Sequence, residues 1–216
     1  MTGGSGIILT KAGVTLAGKA ILSDLTLTLT EPRIGIVGRN GSGKTTLLRL
    51  MAGLIPPTTG CITVEGTSPN DRKAMLTRLG ILFQNPDHQI LFPTVAEELG
   101  FGLRQMGQTE AQATTALRAL LAAEGRSHWE KAATHTLSQG QRHYLCLLSI
   151  LLMAPETILL DEPFAGLDLP TQIRLSRRLA ALPQRLITIS HDPAAVAHCD
   201  RVIWLDAGCI KADGPA

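Results

Sequence analysis

Eight consecutive residues have the types and spacing of a phosphate-binding loop. The segment 38–45 reads GRNGSGKT, which fits the pattern G-x-x-x-x-G-K-[ST]. In this pattern, backbone N–H groups surround phosphate oxygens, the lysine reaches the β- and γ-phosphates, and the last hydroxyl binds Mg²⁺. We therefore predict a nucleoside triphosphate site with Mg²⁺. Its predicted nucleotide contacts are Gly38, Asn40, Gly41, Ser42, Gly43, Lys44, Thr45 and Thr46.

The residues on either side of this loop predict the elements that would hold it. Residues 34–37 form a short apolar run typical of a buried parallel strand, and Leu47, Leu48 and Met51 follow the loop at helical spacing. A helix N-terminus presents unpaired N–H groups and a positive dipole end, so phosphates are expected to bind there. The structural alternative, a glycine-rich turn between strand and helix, is disfavoured by this context.

Two acidic residues follow a second apolar run. Residues 158–163 read ILLDEP, which places Asp161 and Glu162 at the carboxyl end of a predicted strand, where open α/β sheets bind ligands. Asp161 would face Mg²⁺ through Thr45 or water, because hard cations prefer oxygen ligands. Glu162 would polarise an attacking water. Taken alone, the two acids fit a solvated strand end equally well.

Two further candidates come later in the chain. Residues 137–141 read LSQGQ and precede a long helical stretch. Ser138 suits an N-cap, and its hydroxyl with the Gly140 N–H could meet a phosphate there, although capping alone is the better explanation in isolation. His191 directly follows residues 187–190 (ITIS), again at the end of a predicted strand.

In order along the chain, these motifs resemble the layout of the ATP-binding cassette (ABC) ATPases. The resemblance covers nearly the whole sequence, and the 137–141 segment is specific to that family among phosphate-loop proteins. It implies that Gln84 binds Mg²⁺ and senses a transport partner, and that His191 contacts the γ-phosphate. The implied catalytic residues are Glu162, His191, Lys44 and Gln84, and the implied metal ligands are Thr45, Gln84 and Asp161.

The resemblance also implies a dimer. In this family a signature segment, here residues 137–141, of one subunit closes over the nucleotide of the other. Asp168 lies in a loop that looks like the link between the two nucleotide sites. Both half-sites are present in this one sequence, so a homodimer could hold two competent sites. The implied residues that act on the partner's nucleotide are Ser138, Gln139, Gly140 and Gln141.

A narrower likeness concerns the segment after Gln84. Residues 83–89 (FQNPDHQ) and 93–102 (PTVAEELGFG) are similar to the energy-coupling factor subgroup, which drives bacterial vitamin and metal-ion uptake. This implies integral membrane coupling and substrate-binding subunits as partners, and a peripheral position at the cytoplasmic face of the inner membrane. The compact length resembles biotin-uptake ATPases more than cobalt or nickel ones. A packed loop and amphipathic helix is the structural alternative, and a soluble non-transport ABC ATPase is the functional one.

Two positions depart from the family pattern. Gln139 stands where the signature usually has a second glycine, but Ser138 and Gly140 remain, so function is expected to persist. Leu16 or Ala17 stands where relatives usually stack an aromatic ring on adenine. Since such stacking is worth roughly 1–3 kcal/mol, weaker discrimination between bases is expected.

The composition is that of a folded protein with no electrostatic preference for nucleic acid. Hydrophobic residues make up 44% and charged residues 18% of the chain, and the net charge is +2. The four cysteines lack zinc-site spacing. The longest apolar run, 145–154, is shorter than the ~18 residues that span a bilayer. The glycine-rich residues 1–6 are expected to be flexible and lack signal-peptide features, which favours the cytoplasm.

The order of the predicted elements indicates an α/β fold. Strands alternate with helices, which predicts a mostly parallel sheet, and residues 7–29 look like an antiparallel β part that precedes it. Between residues 85 and 137 the composition shifts towards helix, and Thr109 begins a capping box. We predict one phosphate-loop ABC ATPase domain over 1–216, with 1–84 and 138–216 as the nucleotide-binding core and 85–137 as an inserted helical subdomain.

Overall fold

The computed structural model describes residues 5–216. Residues 1–4, where the sequence predicts a flexible start, lie outside the described part. Contacts divide the chain into two compact units. The first comprises the described residues up to Ile81 together with Glu156–Pro163 and Pro183–Ala216, and the second comprises Leu82–Pro155 and Phe164–Leu182. The second unit thus includes residues 138–155 and 164–182, and the predicted helical subdomain at 85–137 stays a prediction.

An antiparallel sheet forms the start of the first unit. Its strand order is β2-β1-β4, and the three strands are β1 (Ile7–Leu16), β2 (Lys19–Leu29) and β4 (Thr59–Val64). Ala17 and Gly18 form the β1–β2 turn with φ angles of 47° and 77°, the left-handed geometry that two-residue hairpins favour. Leu25, Leu27 and Leu29 of β2 lie on one face of the strand and are buried, as the period-two alternation of side chains in a strand requires.

The other six strands form a second sheet, in the order β5-β6-β7-β3-β8-β9. The pairs β6–β7, β7–β3 and β3–β8 are parallel, and β9 returns antiparallel to β8. The mostly parallel α/β fold predicted from the sequence is therefore confirmed. The strands are β3 (Arg33–Val37), β5 (Leu79–Leu82), β6 (Thr157–Asp161), β7 (Arg185–Ser190), β8 (Arg201–Asp206) and β9 (Cys209–Gly214).

Two helices and a 3₁₀ turn accompany these strands in the first unit. Helix α1 (Lys44–Met51) follows the predicted phosphate loop, and α2 (Arg72–Arg78) begins at an Asp71 cap. The 3₁₀ turn is at Pro193–Val196, between β7 and β8. Val196 packs on Gly35 of β3 so closely that a Cβ at position 35 would lie 2.5 Å from the Val196 Cβ. The glycine in this buried strand is therefore required by packing.

The second unit is helical. Its apolar core is formed by residues from three helices and the segments between them: Val95, Leu99, Leu117, Leu121, Trp129, Leu137, Leu145 and Leu148. The capping box predicted at Thr109 is present, since its hydroxyl accepts from the Gln112 N–H and its own N–H donates to the Gln112 side chain. The helices are α3 (Val95–Gln105), α4 (Glu110–Ala123), α5 (Gln139–Met153) and α6 (Leu169–Ala180).

A short 3₁₀ turn at Pro86–His88 precedes α3, and two more, at Ser127–Trp129 and Thr134–Thr136, lie between α4 and α5. Glu98 of α3 is buried, and its carboxylate accepts from the backbone N–H groups of Leu91 and Phe92. This carboxylate fixes the segment before α3, where Leu91 is 68% exposed. Across residues 5–216, no helix has both the length and the apolar content needed to cross a membrane.

Candidate functional site

The predicted phosphate loop joins β3 to α1, as the sequence indicates. Gly43 stands at the N-cap position with φ 103°, which an L side chain rarely adopts, and α1 begins at Lys44. A Cβ at Gly38 would collide with the backbone of Leu205 and lie 2.6 Å from the Ser42 Oγ. Glycine is therefore needed at both ends of the loop. Asn40 is exposed in the turn, and Thr45 and Thr46 lie in the first turn of α1.

Lys44 lies inside the loop. Only 8% of the residue is exposed, and its Nζ donates to the carbonyl oxygens of Gly38 (2.6 Å) and Arg39 (3.0 Å). The Ser42 N–H also donates to the Arg39 carbonyl at 3.1 Å. The loop is thereby wrapped around the ammonium group, which places a fixed positive charge beside the first turn of α1.

The environment of the Ser42 hydroxyl indicates that this loop can bind a phosphate. Its Oγ is buried and has no hydrogen-bond partner among residues 5–216. A buried hydroxyl without a partner is costly, so this donor favours an anionic acceptor in the loop. The amides of the first turn of α1 lack intrahelical acceptors and point the same way along the helix axis. Hydroxyl, ammonium and helix N-terminus together fit the oxygens of a nucleoside polyphosphate.

The second group of predicted residues lies at the carboxyl ends of the neighbouring parallel strands. Val37, which ends β3, is in register with Ser190, which ends β7, and Asp161, which ends β6, is in register with Ile189. The loop after β3 and the two acids after β6 therefore leave the sheet at the same edge, as expected for a ligand site in an open parallel sheet.

Asp161 is partly buried at this edge. Burial raises the pKa of its carboxyl group, and the neighbouring charge of Glu162 raises it further, while Lys44 and Arg49 act in the opposite direction. A carboxylate whose ionised form is disfavoured in this way gains from a nearby cation. The oxygen chemistry of Asp161 and Thr45 fits Mg²⁺. Among the described residues, no cluster of three or more His, Cys, Asp or Glu side chains could hold a metal ion by itself.

Glu162 is held by the end of strand β7. The Ser190 hydroxyl donates to Glu162 Oε2 at 2.8 Å, and the His191 backbone N–H donates to Oε1 at 2.7 Å. The His191 Nδ1 also lies 2.7 Å from Oε1. The Glu162 side chain is 12% exposed, whereas that of His191 is 57% exposed. The structure thus brings the predicted base and the predicted histidine together, with the histidine on the open side.

The backbone of Glu162 is also unusual. Its φ angle is 46°, in the left-handed region, and its N–H donates to the Ile189 carbonyl at 2.9 Å. Strained backbone of this kind persists only where surrounding contacts hold it and is frequent at functional sites. Sequence reasoning missed both this conformation and Ser190. A serine directly before the predicted histidine was the available signal, but only pairing between distant strands shows what it contacts.

The remaining predicted residues lie in the second unit. Gln84 is exposed, two residues after the end of β5. Ser138 caps α5: its hydroxyl accepts from the Gln141 N–H at 3.3 Å, and its N–H donates to Gln141 Oε1 at 2.8 Å. Ser138 therefore has the N-capping role that was predicted for it from the local sequence alone. Because the capping interaction uses the hydroxyl as an acceptor, its hydrogen stays available to a ligand.

The Gln139 side chain contacts the loop that contains Asp168. A Cβ at Gly166 would lie 3.1 Å from the Gln139 amide nitrogen. Gly140 packs in the same way on the start of α6, where a Cβ would lie 3.0 Å from the Thr171 methyl group. Asp168 caps α6 by accepting from the Thr171 N–H at 2.7 Å, and hydrogen bonding to Thr171 lowers the pKa of its carboxyl group. The start of α5 and the loop before α6 are thus packed as one region.

Comparison with known proteins agrees with the nucleotide site described above. The sequence profile of the ABC transporter family matches residues 22–165. A biotin transport ATP-binding protein, BioM, of Rhodobacter capsulatus is 52% identical over 92% of this chain and 85% of its own length. The protein of the same name from Rhizobium etli is 38% identical over 95% of this chain and 92% of its own length.

Solved structures agree on the fold. cbiO1 from Clostridium perfringens, part of the ABC transporter complex cbiONQ, superposes with a TM-score of 0.82 at 26% identity, over 97% of this chain and 88% of its own. A dimeric ATP-binding cassette bound to ADP and Pi, in a post-hydrolysis state, gives a TM-score of 0.81 at 23% identity over 97% of this chain and 98% of its own. At that identity, the second likeness concerns the fold alone.

Proposed function

Because this chain belongs to the ABC transporter family, we propose that it is the ATP-hydrolysing subunit of an energy-coupling factor uptake transporter. The observation that carries the catalytic part is the carboxylate of Glu162, held by Ser190 and His191 at the sheet edge where the phosphate loop begins. A fixed carboxylate beside a phosphate site is suited to orient an attacking water.

The chain's own residues divide the work of hydrolysis. The first turn of α1, with Lys44 and Ser42, binds the β- and γ-phosphates and stabilises the charge that develops during transfer. Mg²⁺ arrives with ATP as part of the substrate, and Thr45 and Asp161 would supply oxygen ligands to it. When bound, the ion neutralises phosphate charge and orients the leaving group.

Two copies are needed for a complete site. Ser138, Gln139, Gly140 and Gln141 of one subunit would seal the nucleotide bound to the other, and Asp168 would lie in the loop between the two sites. The packing of Gln139 on the Asp168 loop and of Gly140 on the start of α6 supports this assignment, since both parts would then reach the partner together. A homodimer satisfies the requirement because each copy carries both halves.

The transported solute is proposed from the relatives. The two named biotin transport proteins match 92% and 95% of this chain, at 52% and 38% identity. Biotin is therefore the favoured cargo, and cobalt or nickel is the alternative. Separate integral membrane subunits would bind the cargo and form the pathway, with this chain docked at the cytoplasmic face of the inner membrane.

The catalytic part is tested with Glu162→Gln, which keeps the size of the side chain but removes the carboxylate. We expect the variant to bind MgATP and to accumulate as an ATP-bound dimer with turnover reduced about a hundredfold or more, because general-base catalysis contributes ~10²–10⁴-fold. Steady-state phosphate release and size-exclusion chromatography measure the two effects. Turnover near the wild-type rate would remove Glu162 from this role.

The cargo is tested in cells that express the complete transporter with either the wild-type chain or Lys44→Ala. Uptake of labelled biotin, cobalt and nickel is measured side by side. Biotin uptake that depends on Lys44 supports the proposal. Lys44-dependent uptake of a metal ion alone would favour the alternative, and the same membrane fraction identifies the copurifying subunits.

A further inference from the structure

Ser190 is the last residue of β7 and is 2% exposed. Its hydroxyl donates to Glu162 Oε2 at 2.8 Å and accepts from the Asp192 N–H at 3.0 Å. The accepted hydrogen bond fixes the direction in which the hydroxyl can donate. Ser190 is thus a buried and oriented donor aimed at one oxygen of the proposed base.

The other oxygen of Glu162 has different partners. Oε1 accepts from the His191 N–H and lies 2.7 Å from the His191 Nδ1. When Nδ1 carries a proton, both lone pairs of Oε1 are engaged. Oε2 has one partner among the described residues, Ser190, and keeps one lone pair. The one lone pair of this carboxylate that stays free is therefore on Oε2, and the hydrogen bond from Ser190 determines its direction.

We propose that Ser190 is a positioning residue for hydrolysis, which directs the free lone pair of Glu162 Oε2 towards the attacking water. The inference rests on the proposed role of Glu162. The water oxygen bonds to the γ-phosphorus as the bond from phosphorus to the β–γ bridging oxygen breaks. The electron pair of that bond leaves with ADP, and the water proton passes to Oε2. A carboxylate free to rotate would present this lone pair in the correct direction for a smaller fraction of the time.

The test compares Ser190→Ala with Ser190→Thr, which keeps the hydroxyl, and with Thr188→Val. Thr188 is a matched control because it is also a buried hydroxyl residue of β7, two positions earlier. We expect Ser190→Ala to lower kcat about tenfold, a part of the ~10²–10⁴-fold that a positioned base supplies, with KM for ATP changed less than about twofold. Ser190→Thr should keep at least about half of the wild-type kcat, and Thr188→Val should match wild type.

A structural role would give a different result. The inference would fail if Ser190→Ala and Thr188→Val both lowered the unfolding temperature and both raised KM to a similar extent. It would also fail if Ser190→Thr lost as much kcat as Ser190→Ala, because the hydroxyl would then not be a positioning group. An unchanged kcat for Ser190→Ala would also overturn it.

A double-mutant cycle with Glu162→Gln separates this inference from the proposed function. If Ser190 acts through Glu162, adding Ser190→Ala to Glu162→Gln should not reduce the residual turnover further. An equal further loss would show that Ser190 acts independently and would overturn the inference. Wild-type turnover in Glu162→Gln alone would instead overturn the proposed role of Glu162, so the two failures are distinguishable.

Discussion

We propose that Ser42 favours phosphate binding at the expense of the stability of the nucleotide-free protein. Its hydroxyl is buried without a partner among residues 5–216, and such a group costs about 1–3 kcal/mol. Ser42→Ala should therefore raise the unfolding temperature of the nucleotide-free protein by roughly 2–4 °C for each kcal/mol recovered. The same variant should bind MgATP about tenfold more weakly, because it loses a hydrogen bond to a charged group.

Thermal unfolding without nucleotide and equilibrium binding of MgATP measure these two opposite effects. Ser149→Ala is the control: Ser149 lies on α5, and its hydroxyl donates to the Cys146 carbonyl at 2.8 Å. It should leave ATP affinity unchanged. A Ser42→Ala protein that is less stable without nucleotide, or that binds MgATP as well as wild type, would contradict the interpretation of Ser42 as a phosphate donor.

Among single residues, the sequence predicted those whose positions are set by their neighbours along the chain. Lys44 and the glycines lie within one loop, so their spacing alone indicates how they are arranged. The contact between Ser190 and Glu162 was not predicted, because these residues are 28 positions apart. Only the parallel pairing of β6 and β7 brings them together.

Among the elements, the N-terminus of α5 has a capping function and a second, proposed function. Ser138 caps the helix through Gln141, and it is also proposed to contact the partner's nucleotide. Ser138→Asp should preserve the cap, since aspartate is an equally good N-cap and its charge suits the helix dipole. It should nevertheless abolish ATP turnover, because a carboxylate repels phosphate and donates no hydrogen bond.

The unfolding temperature and steady-state ATPase activity separate the two functions of Ser138. Ser138→Ala should lose both the cap, worth about 1 kcal/mol, and turnover. Thr109→Asp makes the same exchange in the other capping box, at α4, and should leave turnover unchanged. If Ser138→Asp hydrolysed ATP at the wild-type rate, capping would be a sufficient explanation of Ser138.

The elements that sequence analysis predicted are those with a strong local pattern. The buried strands β3, β6 and β7 are rich in aliphatic residues, and α4 and α5 begin at capping boxes. Helix α2 was missed because it has seven residues, of which only Met75 is buried. Strand β9 was missed because four of its six residues (CIKADG) are Lys, Ala, Asp and Gly, which are depleted in strands, and it is ordered by its pairing with β8.

For the whole molecule, the decisive question is whether one chain holds a complete site. The phosphate loop, Asp161 and Glu162 belong to the first unit, whereas Ser138 and Asp168 belong to the second. The proposed function places the nucleotide of one copy against Ser138 of another. A mixture of two inactive variants tests this arrangement directly, since each variant supplies what the other lacks.

Lys44→Ala disables the phosphate loop and Ser138→Asp disables the signature, so each pure homodimer should be inactive. In a mixed dimer, one site combines an intact loop with an intact signature. With random pairing at equal amounts, half of the dimers are mixed and each has one working site, so about a quarter of the wild-type rate should return. Phosphate release plotted against mole fraction should therefore pass through a maximum at equal amounts. If mixed dimers isolated with two affinity tags were as inactive as the pure variants, each site would be built within a single chain.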